Sequence, residues 1–141
     1  IFFSNNFSKL FSLHVDTGML NWIININSNL RPILIDDFLF TISQEGYLIV
    51  IDSIKGKIVR SNYILSRFKT KERKKLSIQG FLIASDKIYI TTNIGYLIIC
   101  SVDTGKVEQV SKIANLQLSK PFISNNKLYI LTSKSVLVFN S

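Results

Sequence analysis

One cysteine, one histidine, one tryptophan and two alanines among 141 residues set the first limits on this chain. A lone Cys100 cannot form an intramolecular disulfide, so the fold is not a cross-linked scaffold. A lone His14 cannot build a multi-histidine metal site, or a Ser/His/Asp triad with a ligand to spare. Alanine leads the helix scale, and having only Ala84 and Ala114 argues against a helical fold. No apolar run approaches the roughly 18 residues that a membrane-spanning helix needs; the longest resemble Tyr47–Ile51 and Ile94–Cys100. No glycine-rich loop follows a strand and opens a helix, so nucleotide binding has no support. An initiator Met and a signal-like opening are missing too. Ile1-Phe2-Phe3 already reads as a strand, and residue 1 is expected to lie inside a longer natural protein.

What is present points to β-structure. Twenty-two isoleucines in a chain that is 47% apolar and 18% charged favour strands and exclude disorder. Seventeen basic and nine acidic residues give a net charge of +8, which raises the question of an anionic partner. The excess is local. Residues 65–75 contain Arg67, Lys69, Lys71, Arg73, Lys74 and Lys75 against Glu72 alone, so this stretch holds +5 and the remaining 130 residues only +3.

The chain repeats itself. Gly46-Tyr47-Leu48-Ile49 matches Gly95-Tyr96-Leu97-Ile98, and each is followed ten residues later by a glycine, Gly56 or Gly105. Asp37–Thr41 matches Asp86–Ile90, which Asn126–Ile130 repeats at an offset of 40. Leu10–Leu13 leading to Asp16-Thr17-Gly18 is a further copy, at glycine spacings of 38 (Gly18 to Gly56) and 49 (Gly56 to Gly105). Strands are expected at Pro32–Ile35, Phe38–Ser43, Tyr47–Asp52 and Lys57–Ile64, and again at Ile78–Ala84, Lys87–Thr92, Tyr96–Ser101 and Lys106–Ile113. Turn dipeptides such as Asp36-Asp37, Ser85-Asp86 and Asn125-Asn126 separate them. Four-stranded units at a period of about 40 residues define an all-β propeller. Residues 1–141 form one partial domain with blades near 1–27, 31–64, 76–113 and 119–141. The basic insertion 65–75 falls between the second and third. The first blade starts at its second strand and the last stops after its third, about three and a half blades in all.

The turn between third and fourth strands carries a resemblance. Phe11-Ser12-Leu13-His14-Val15-Asp16-Thr17-Gly18-Met19-Leu20-Asn21-Trp22 is similar to the repeat of the quinoprotein-like (PQQ-type) propellers: an apolar strand, a Thr-Gly turn, and a Trp four residues after the glycine. Ile98–Gln109 and Ile49–Arg60 resemble it less fully, with Gln109 and Arg60 where the tryptophan would stand. The resemblance implies that Trp22 packs between adjacent blades and that Gly18, Gly46, Gly56, Gly95 and Gly105 mark structural turns. Loss of the tryptophan twice implies a degenerate, non-catalytic member. Two kinds of relative compete. One is the propeller lipoprotein of the outer-membrane β-barrel assembly machinery (the BamB family), a scaffold without cofactor on the periplasmic side of the outer membrane. The other is a quinone-dependent dehydrogenase whose active-site half lies outside this chain. In such propellers an N-terminal strand commonly closes the ring, so a last blade ending at Ser141 is expected to await a strand from further sequence or from a second copy completing the ring.

Few residues offer chemistry. His14 stands at a strand end, where Asp52 and Ser101 stand in the sister repeats, and a capping role is expected. Cys100 lies in a buried register and reads as a packed thiol. Asp36, Asp37, Asp52, Asp86 and Asp103 all fall in turns, where carboxylates cap backbone amides. Trp22, Phe38, Phe40, Tyr89 and Tyr129 recur at strand positions that a repeated core requires. The expected site is therefore the insertion: Arg67, Phe68, Lys69, Lys71, Arg73, Lys74 and Lys75 as contacts to a protein partner with an acidic surface. Its plain alternative is a solvated loop. No enzyme activity, cofactor or metal is expected. Nucleic acid is not expected, because one basic run with a single aromatic makes no binding stripe. Membrane association would come only through sequence upstream.

Overall fold

A computed structural model describes residues 1–5 and 8–140. Asn6 and Phe7 in the expected first blade, and the expected end of the last blade at Ser141, lie outside the described residues. The chain divides into two compact units, Ile1–Tyr63 and Ile64–Ser141.

The first unit contains two sheets. β1 (Phe2–Asn5), β2 (Lys9–Leu13) and β3 (Leu20–Asn25) form one in that order; β4 (Ile33–Ile35), β5 (Phe38–Ile42), β6 (Tyr47–Asp52) and β7 (Lys57–Tyr63) form the other. Every pairing is antiparallel. Burial follows strand position. β5 and β6 are buried on both faces over most of their length, and β7 alternates between exposed and half-buried residues. A strand covered on both faces reads as a continuous apolar run, and one at the edge tolerates charge. The core between the sheets is Leu10, Trp22, Ile26, Leu39, Ile49 and Ile51, with Phe2 and Ile24 packed against it.

The second unit begins with the insertion, which contains a single helical turn, α1 (Thr70–Arg73). β8 (Ile78–Ala84), β9 (Lys87–Thr92), β10 (Tyr96–Ser101) and β11 (Val107–Lys112) form a four-stranded meander. β12 (Phe122–Ser124), β13 (Lys127–Leu131) and β14 (Val136–Asn140) form a three-stranded one. Leu97, Leu118, Leu128 and Ile130 fill the space between them. At the inner strand β8, Gly80 lets the next blade come close: a Cβ built there would lie 2.7 Å from the Cβ of Lys120. Thr91 donates across the same junction to the Ser119 carbonyl at 2.8 Å.

The hairpins use left-handed residues as the twist of paired strands demands. Ser85 and Asp86 (φ 50° and 61°) and Asn125 and Asn126 (φ 50° and 60°) form two-residue turns with both central φ positive. One irregularity repeats in every blade with a fourth strand. Register shifts occur between Ser12 and Leu13, Val50 and Ile51, and Ile99 and Cys100, leaving Asn21, Val59 and Glu108 as the extra residues on β3, β7 and β11. A bulge increases twist and re-aims the side chain beside it. The residues that follow are Trp22, Arg60 and Gln109, the three that the repeat aligned.

Candidate functional site

The bulge and the turn before it explain the repeat motif. In the first unit Trp22 is 9% exposed and donates its indole N–H to the Ser53 carbonyl at 2.8 Å, in the turn between β6 and β7. Its ring covers Gly56, where a Cβ would lie 2.5 Å from the ring's Cγ. Trp22 of one blade thus closes over the turn of the next. The turns are alike. Gly18, Gly56 and Gly105 donate N–H to the carbonyls of His14, Asp52 and Ser101 at 2.8–2.9 Å. The side chain at that same position then accepts from the turn backbone. His14 Nδ1 accepts from Asp16 at 3.3 Å, Asp52 Oδ1 from Ile54 and Lys55 at 3.0 and 2.9 Å, and Ser101 Oγ from Thr104 at 3.3 Å. Those two amides hold the Asp52 carboxyl below its ordinary value, Lys55 contributing most. Gly46 and Gly95, with φ of 95° and 88°, close the turns between β5 and β6 and between β9 and β10.

Cys100 is fully buried, and desolvation pushes its thiol up to about 12. It is a packing group with negligible thiolate at neutral pH. Among the described residues no group of three or more His, Cys, Asp and Glu side chains could hold a metal ion. No described helix is long and apolar enough to cross a membrane.

The insertion is built, and the structure sorts its residues into two sets. Phe68 is 4% exposed and Leu65 5%, so the aromatic expected to face a partner is inside the protein. An aromatic with no apolar neighbour in sequence finds one in space: the Phe68 ring meets Tyr96 edge-on, centroids 4.9 Å apart at 85°. Arg67 reaches across to β11. At the bulge there, the guanidinium donates to two successive carbonyls, Val107 at 2.8 Å and Glu108 at 3.3 Å. Arg73 turns back on its own segment, donating to the carbonyls of Phe68 at 2.8 Å and Ser66 at 3.0 Å. Asn93 clamps the exit, donating to the Lys75 carbonyl at 2.8 Å while its Oδ1 accepts from Ser77 N at 2.7 Å.

The single acid of the insertion is engaged as well. Tyr96 donates its hydroxyl to Glu72 at 2.9 Å, which raises the phenol above its ordinary value, and Lys112 Nζ sits 5.2 Å over the same ring. Lys69, Lys71, Lys74 and Lys75 are left exposed, and none makes a salt bridge among the described residues. Lys87 and Glu108 pair on the neighbouring sheet, which keeps the Lys87 ammonium charged beyond its ordinary range. The charge is also divided by unit. Ile64–Ser141 has twelve basic and four acidic residues, Ile1–Tyr63 five of each, so the whole +8 belongs to the second unit.

The sheets, bulges and turns define a β-propeller, and solved structures agree. Sqt1 of Saccharomyces cerevisiae matches with a TM-score of 0.76 at 16% identity over 95% of this chain. BamB from Moraxella catarrhalis matches at 0.73 and 15% over 93%. The computationally designed Ika4 protein matches at 0.70 and 12% over 98%, of which this chain spans 87%. The chain spans only 37% of that BamB and 40% of Sqt1. No family model matches the sequence, and no curated protein matches it. At such identities the likeness establishes the fold: this is a segment of a β-propeller.

Proposed function

We propose that this chain is part of a non-catalytic scaffold that binds a protein partner through its basic insertion. One observation carries the reading: Arg67, Phe68 and Arg73 hold the segment down while Lys69, Lys71, Lys74 and Lys75 stand free in solvent. A fixed patch of one sign attracts an acidic surface over about 8 Å at physiological salt, and it accelerates encounter more than it tightens the complex. The scaffold belongs to the cell envelope, on the periplasmic side of the outer membrane. That placement rests on the resemblance of the repeat at Phe11–Trp22. The rival is a quinone-dependent dehydrogenase whose active-site residues lie outside this chain, and absorbance of a bound quinone in the full-length protein would favour it.

The test uses the full-length protein with a photo-cross-linker at Thr70. Cross-linking to an outer-membrane assembly component is expected. Replacing Lys69, Lys71, Lys74 and Lys75 with Ser should slow association about tenfold at low salt and far less at high salt. A fusion to alkaline phosphatase should be active, reporting export. An unchanged cross-link in the four-lysine variant, or an inactive fusion, defeats the reading.

A further inference from the structure

A second surface lies in the first unit, on residues outside the basic insertion. β3 pairs with β2 on one edge, and among the described residues no strand pairs with its other edge. Beside the C-terminal end of β3 a cavity of about 540 Å³ opens between it and the face of β6 and β7. That volume is in the range of ligand sites. Its floor is Ile26, Ile49 and Ile58, and its walls include Asn25, Ser61 and Tyr47. Glu45 lines it and is the one charged residue to do so among the described residues. Asn27 donates to Glu45 Oε1 at 2.9 Å, and Gln44 N donates to the Asn27 carbonyl at 2.7 Å, so the carboxylate is fixed in place. The Asn27 bond is also the main reason that Glu45 ionises below its ordinary value, which leaves a full negative charge at neutral pH.

We infer that this cleft binds an extended protein segment that presents a lysine or arginine. The segment adds to the free edge of β3, and its cationic side chain lies over Ile58 and Tyr47 to reach Glu45. Three features select that occupant. A free strand edge takes extended backbone, since its unpaired N–H and C=O groups complete a ladder. The apolar floor suits the methylene stem of a long basic side chain, whose charged head stays at the wet mouth. The lone carboxylate then decides the sign: a cation gains a charge-assisted hydrogen bond, and an acidic residue at the same place is repelled.

The experiment titrates the full chain with a fluorescein-labelled peptide, Val-Thr-Lys-Thr-Val, followed by anisotropy and amide chemical shifts. Matched peptides have norleucine or Glu at the centre. Saturable binding is expected, about fivefold tighter for Lys than for norleucine and weakest for Glu. Shifts should centre on Asn25, Glu45, Tyr47 and Ser61. Glu45→Gln should erase the preference for Lys, and Ile58→Trp, which fills the cleft from an exposed strand, should abolish binding of all three. Insertion variants should bind the peptide unchanged, so the two proposed surfaces fail or survive separately. No saturable binding at millimolar peptide, equal affinity for Lys and Glu, or indifference to both substitutions would overturn the inference.

Discussion

A methyl group separates two glycines that the repeat treats alike. Gly18 and Gly56 both sit near φ +70°, but a Cβ at Gly18 meets nothing within 4 Å while one at Gly56 runs into Trp22. Gly18→Ala should therefore cost about 1 kcal/mol, the strain of a left-handed alanine. Gly56→Ala should cost about 2–4 kcal/mol, because overpacking adds to the strain. Urea unfolding of the two variants decides it, and equal midpoints would mean that Trp22 gives way freely. Asp52 and Glu45 are both held below their ordinary values by hydrogen bonds. A depressed carboxylate stabilises the fold above its unfolded value and loses that contribution as pH falls through the folded one. Stability should thus be flat above about pH 5 and decline below about pH 4, with Asp52→Ala removing part of that decline. An acid profile identical to the parent would show that the turn does not depend on Asp52. At Cys100 a thiol pushed up to about 12 should resist iodoacetamide in the folded protein at pH 8 and react at once in denaturant.

Among the elements, the insertion differs most from its appearance in the sequence. Phe68→Ala should destabilise the second unit by about 3 kcal/mol, the cost of emptying a buried aromatic site. Trypsin should then cleave among Lys69, Lys71, Lys74 and Lys75 faster than in the parent; equal cleavage rates would mean that Phe68 does not hold the segment. The strands needed no such help to be found. Tyr47–Asp52 and Tyr96–Ser101 could be bounded from residues alone, because turn dipeptides and glycines with fixed backbone needs punctuate them. The anchoring of the insertion was hidden for a physical reason. Arg67 binds a carbonyl forty residues away, beside the bulge of β11, and charge in a sequence does not say which cations are engaged. A clue was there: Leu65 and Phe68, apolar at a spacing of three in a basic run, both prove buried. The cleft had no such clue, since Glu45 and Asn27 stand 18 residues apart and meet only when two blades pack.

For the molecule as a whole, the placement of all net charge in Ile64–Ser141 makes a prediction about salt. Removing Lys9, Lys55 and Lys57 should leave the ionic-strength dependence of partner binding unchanged, while the insertion lysines should account for most of it. Stopped-flow association across a salt series measures both, and equal slopes for the two sets would disperse the proposed patch over the surface. The single tryptophan has a further use. Trp22 is held against Ser53 and Gly56 inside the first unit, so its emission is a built-in optical reporter of one blade junction. Far-ultraviolet circular dichroism sums over every sheet. If the two signals are followed through one denaturation, a gap between their midpoints gives the independence of the two halves directly, with no label and no mutation.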